Sequence, residues 1–132
     1  MTANDYQGWH EPPAPDYGAP LHDVQVMMPD YYVHPEYYRT GDDECDGPSE
    51  RAIVRARNNP AQPVWIWRAI PAAADGPGIN PGDWVTTSKP YARQHAAGMD
   101  EPHTIAARRV IAGELYSEGN SINEWAWWPG DR

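Results

Sequence analysis

Three places in this sequence hold side chains able to act on an anionic, sugar-bearing substrate. Arg68 lies near the end of the run Val64-Trp65-Ile66-Trp67-Arg68-Ala69-Ile70-Pro71, three adjacent hydroxyls stand at Thr86-Thr87-Ser88, and Glu124 sits close to the end of the sequence. A forked guanidinium matches a phosphate or pyrophosphate. Short hydroxyls orient what lies beside them, and a carboxylate stabilises positive charge that builds on a sugar as its glycosidic bond breaks. Each residue also has a plainer reading. Arg68 can snorkel past the strand end or meet a structural carboxylate. Thr86 and Thr87 are favoured in strands, Ser88 can serve as a helix cap, and Glu124 can be a surface residue.

These side chains must be held by elements that the sequence pattern predicts. Alternation over residues 64–70 sets Trp65, Trp67 and Ala69 on one face of a strand and Val64, Ile66, Arg68 and Ile70 on the other, so Arg68 is the odd member of an apolar face. Asp83 to Ser88 reads as a second short strand. Ser88 caps a helix from Lys89, with Pro90 in its first turn and Gly98 as a left-handed stop. Met99 to Ala106 reads as a loop, Arg108 to Leu115 as a weaker strand, and Ile122 to Trp128 as a last strand carrying Glu124 after the turn at Gly119-Asn120.

The first half carries fewer chemical signals. Residues 1–22 hold Pro12, Pro13, Pro15 and Pro20 among acidic and aromatic residues, and read as an extended or disordered arm able to dock on the body or a partner. Leu21 to Met28 alternates like a short strand. Of the pairs Tyr31-Tyr32 and Tyr37-Tyr38, one ring each is expected to pack and one to face water. The acidic stretch 41–47 lacks the ligand spacing of a calcium loop and reads as a solvated turn, so no metal is assigned. A helix then opens at Pro48-Ser49-Glu50, capped by Ser49 and stopped by Asn58-Asn59-Pro60.

In order and spacing, the strand arginine, the Thr-Thr-Ser strand leading into a helix, and the glutamate after a Gly-Asn turn resemble the ADP-ribosyltransferase superfamily, in the branch marked by arginine, Ser-Thr-Ser and glutamate. The resemblance covers about residues 62–129. It implies an α+β fold of two small packed β-sheets around an NAD cleft with a few short helices. It further implies Arg68 on the phosphate and ribose of NAD, Thr86, Thr87 and Ser88 in place of Ser-Thr-Ser, and Glu124 as catalytic carboxylate. Thus Glu124, Arg68, Thr86 and Ser88 are the expected catalytic residues. Arg68, Ala69, Thr86, Thr87, Ser88, Tyr91 and Trp84 are the expected NAD contacts, the last two as stacking walls beside Trp127; His95 is expected to pack or hydrogen-bond. Two departures stand out: Ala69 follows the arginine where glycine is common, and Ile122 stands two residues before the glutamate where arginine-modifying members carry a second carboxylate. The acceptor implied is then not arginine but a side-chain amide, hydroxyl, carboxylate or nucleic-acid group.

Composition bounds the setting. A chain of 132 residues suits one domain, residues 1–132. With no Phe but seven Trp and eight Tyr, its large buried surfaces come from rings that want polar partners. The net charge of −9 argues against a phosphate-tracking nucleic-acid binder, disfavours a local basic patch, and favours a protein acceptor or partner over nucleic acid. Cys45 alone forms no intrachain disulfide, and no apolar run or signal-like start points to a membrane or export. These features fit a mono-ADP-ribosyltransferase acting in the cytoplasm, including that of a host cell if it is phage-encoded. The rivals are NAD hydrolysis on the same site, and a catalytically silent binding or inhibitor protein on the same fold.

Overall fold

The computed structural model describes residues 18–74 and 76–130; most of the expected N-terminal arm, residues 1–17, lies outside the described residues. The described chain is α+β, with two small antiparallel sheets and few helices. Strands β1 (Ala19–Pro20), β3 (Trp84–Val85), β5 (Leu115–Ser117) and β6 (Trp125–Trp127) form one sheet in the order β1-β5-β6-β3. Strands β2 (Pro63–Pro71) and β4 (His103–Ile111) form the other, paired from Pro63 opposite Ile111 to Pro71 opposite His103. The sheets meet at one point. Trp67 and Thr86 exchange both backbone hydrogen bonds, each 2.9 Å, which fastens the middle of β2 to the end of β3.

Helix α2 (Lys89–Ala97) packs on β2 and β4, and helix α1 (Asp43–Ala56) packs against α2 and the segment Leu21–Val26. The core gathers Leu21, Tyr31, Ile53, Ile66, Leu115 and Trp125, all almost fully buried. The Trp125 indole satisfies its polar edge by donating to Ile122 O at 2.8 Å. The second tyrosine pair divides as expected, with Tyr37 exposed and Tyr38 packed against the core edge, whereas in the first pair both rings pack, Tyr31 within the core and Tyr32 at its edge. No helix among the described residues is long and apolar enough to cross a membrane.

Several elements differ from the sequence reading. Leu21–Val26 is a 3-10 helix, not a strand, and turns Leu21 and Val24 into the core. The tail of the expected arm joins the body, because Ala19 and Pro20 form an edge strand against Ser117 and Tyr116. Pro20 is tolerated there as a short edge strand needs few ladder donors.

The acidic stretch is not a free turn. Helix α1 starts at Asp43, with Asp42 as N-cap accepting from Cys45 N at 3.2 Å, and Asp43, Glu44 and Asp46 complement the helix dipole. Pro48 is carried inside the helix, and Ser49 is buried where a cap was expected. Strand β4 begins at His103, inside the expected loop, because its full register with β2 satisfies backbone groups that a loop would leave open. Gly98 ends α2 in right-handed geometry, at φ −84°, with its N–H bonded to carbonyls of the last turn. The last strand is confined to Trp125–Trp127, so Glu124 stands just before it.

Candidate active site

A shallow cleft, with a cavity volume of about 30 Å³, opens where β2, β3 and α2 converge. That is well below the range of preformed ligand pockets, so a nucleotide would lie across an open surface or widen the cleft on binding. Strand β2 supplies Trp67, Arg68 and Ala69, and β3 with its extension supplies Trp84, Val85 and Thr86. Helix α2 supplies Tyr91, Ala92 and His95, and the residue before β6 supplies Glu124.

Arg68 is placed by two local contacts. Its Nη1 donates to Trp84 O at 2.8 Å, and its Nε lies 3.6 Å from the Asp83 carboxylate. The side chain is only 10% exposed, so the paired carboxylate explains how a charge is tolerated there. The structural-carboxylate reading is met, and the side chain also lines the cleft. The alternation predicted for β2 holds through Ile66 and then breaks. Ala69 is buried and Arg68 half-buried, which lets the guanidinium sit on the cleft wall instead of in the core.

Glu124 forms the other wall. Its Oε2 accepts a hydrogen bond from the Tyr91 hydroxyl and lies 4.0 Å from His95 Nε2. The Tyr91 and His95 rings are one helical turn apart and touch edge to face, with centroids 4.6 Å apart. Burial holds the His95 imidazole below the ordinary histidine range, while the Glu124 carboxylate pulls it the other way. The Tyr91 hydroxyl thus fixes the Glu124 carboxylate at the cleft wall, beside the His95 ring.

The three hydroxyls part company. Thr86 lines the cleft, and its Oγ1 accepts from Ser88 N at 3.0 Å. Ser88 is fully buried and caps α2 by accepting from Tyr91 N at 3.4 Å, so it positions Tyr91 without facing the cleft. Thr87 points to the opposite side and joins a buried polar chain. In that chain Ser49 Oγ donates to Asn123 Oδ1 at 2.7 Å, so the Thr87 hydroxyl, 2.9 Å from Ser49 Oγ, is the donor to it. Asn123 Nδ2 in turn donates to Asp46 Oδ1 at 3.0 Å. Asp46 completes its acceptor set with Thr40 N and Thr40 Oγ1 at 2.8 and 2.9 Å.

Of the residues named from sequence, Arg68, Ala69, Thr86, Tyr91, Trp84 and Glu124 share the cleft, whereas Thr87 and Ser88 do not line it. Trp127 is buried in the last strand, with the Arg108 guanidinium over its ring at 4.5 Å. Sequence reasoning missed the roles of Asp46, Ser49 and Asn123, which hold the segments on either side of Thr86 and Glu124. A capped acidic first turn, Asp42 followed by Asp43, Glu44 and Asp46, was the one signal able to reveal α1. Ile122 is fully buried, so the position two residues before Glu124 serves the core. Cys45 is buried too, and burial raises its thiol to about 11, the condition of an inert cysteine. Among the described residues no group of three His, Cys, Asp or Glu is placed to hold a metal ion.

Comparison with protein-family models, with curated proteins and with solved structures returns no match for this chain.

Proposed function

We propose that this chain is a mono-ADP-ribosyltransferase that moves ADP-ribose from NAD to a macromolecular acceptor other than an arginine side chain. One observation carries the reading. Arg68, Thr86, Tyr91 and Glu124, from segments far apart in sequence, line one cleft between two small sheets. Tyr91 is the aromatic wall that nicotinamide would meet there, since Trp84 is largely buried.

The chemistry follows from these side chains. The bond between C1′ of the ribose and the nicotinamide nitrogen breaks, its electron pair going to that nitrogen and quenching the pyridinium charge. Positive charge then gathers on the sugar, and the Glu124 carboxylate stabilises it more than it stabilises the ground state. The acceptor nucleophile forms the new bond at C1′ and releases its proton to solvent. Arg68 anchors the phosphates, with its plane set by Trp84 O and Asp83. An arginine acceptor is disfavoured because the second carboxylate that would hold a guanidinium is replaced by the buried Ile122.

Incubation with NAD tests this. Release of nicotinamide that accelerates with acceptor, and stops on Glu124→Gln, is the expected result. Release independent of any acceptor reassigns the site to NAD hydrolysis, and no release reassigns the domain to silent binding.

A further inference from the structure

A second groove, with a cavity volume of about 310 Å³, lies along β2 beside the cleft, and Trp67 lines both. Its walls come from α1, the first half of β2 and the paired end of β4. Three guanidiniums converge on it: Arg51 and Arg55 from α1, and Arg109 from β4. All three are exposed, and no carboxylate is within salt-bridge reach of any of them among the described residues. Among the described residues no Asp or Glu lines the groove, in a chain with 19 acidic residues and only 10 basic ones. Trp65 stands directly opposite Arg109 across the strand pair and is 49% exposed, unusual for so large an apolar ring.

We infer that this groove binds single-stranded nucleic acid. Unpaired guanidiniums along a track attract phosphates, and an exposed indole between them offers a stacking face that any base can use. Arg51 and Arg55 are one turn apart on α1, about 6 Å along its axis, so they meet successive phosphates and not one. An acidic peptide would satisfy the charges but would leave the indole without a flat partner. The chain's negative charge elsewhere repels a polyanion and confines binding to this groove. Because Trp67 borders both sites, a strand seated here passes beside the cleft. Its role as the acceptor rests on the transferase reading, whereas the binding itself does not.

Fluorescence anisotropy with a labelled single-stranded oligonucleotide and the full chain provides the test, run on the natural sequence and on Glu124→Gln. Both are expected to bind, with affinity falling as salt rises at a log–log slope of about −2 for three phosphate contacts. Arg55→Ala should flatten that slope by about 0.7 and leave nicotinamide release measured without oligonucleotide unchanged. Trp65→Ala should weaken binding at least ~5-fold at unchanged slope. Both positions are exposed, and thermal unfolding checks that the variants fold.

No binding, or binding that neither substitution alters, overturns the inference. Displacement by a mononucleotide at the same phosphate concentration would mean a free nucleotide is the occupant. Equal displacement by polyglutamate, insensitive to Trp65→Ala, would mean an acidic protein segment, and either result overturns the strand. Oligonucleotide binding without nicotinamide release leaves the groove standing and removes the transferase reading.

Discussion

Replacing Glu124 by glutamine separates charge from shape at the heart of the cleft. The amide oxygen of glutamine can still accept from the Tyr91 hydroxyl, so the Tyr91 and His95 rings keep their places while the negative charge goes. The Glu124 side chain is 26% exposed, so water screens part of its field. The loss therefore belongs near the lower end for one electrostatic stabiliser, ~10²-fold in turnover or about 2.7 kcal/mol. Nicotinamide release at saturating NAD measures it, and calorimetry checks that NAD affinity is nearly kept. A proton NMR titration of His95 supplies an independent control. Glu124 raises the His95 pKa against the larger effect of burial, so its neutralisation should lower that pKa further. Near-normal turnover in a variant whose His95 titration has moved would remove Glu124 from the chemistry.

Arg68→Ala should weaken NAD binding by roughly 1.5–3 kcal/mol, a lost charge-assisted hydrogen bond, and should also lower Tm because the contact to Trp84 O disappears. Unchanged affinity by calorimetry would leave the arginine purely structural. Asp46→Ala strands the Asn123 amide in the interior, while the exposed Thr40 can turn to water, and should cost about 1–3 kcal/mol in urea unfolding; a loss under a tenth of that would show the buried chain to be slack. His95 has a folded pKa below its unfolded value, so its contribution to stability is complete above the unfolded pKa and is lost as pH falls through the folded one. The Tm of His95→Gln should therefore decline less on acidification from pH 7 than that of the natural sequence, and parallel declines would contradict the burial effect. Gly119→Ala should destabilise by about 1–2 kcal/mol, since its φ of +87° favours glycine and an added Cβ would meet Met27 O at 3.0 Å.

What the sequence made legible were features whose causes are local. The alternation of β2 as far as Ile66, the Ser88 cap of α2 and the ordering of arginine, hydroxyls and glutamate all follow from neighbours in the chain, and six named residues meet in the cleft. What stayed hidden depended on distant partners. Asp46 looked like a solvent-facing acid until Thr40 and Asn123 supplied the donors that allow its burial. Strand β4 gained its first residues from β2, not from its own composition. Thr87 and Ser88 followed the family pattern in type, yet the sharp passage from β3 to α2 turned them away from the cleft that Thr86 lines.

The buried chain from Thr87 through Ser49 and Asn123 to Asp46 also has a consequence for motion. It ties α1, which contributes no residue to the cleft, to both segments that frame the cleft, and its members can leave only by exposing groups that have no other partner. Opening of α1 and loosening of the Thr86 and Glu124 walls are thus one event with one free energy. A ligand seated in the cleft would slow amide hydrogen exchange throughout α1, a helix it never touches.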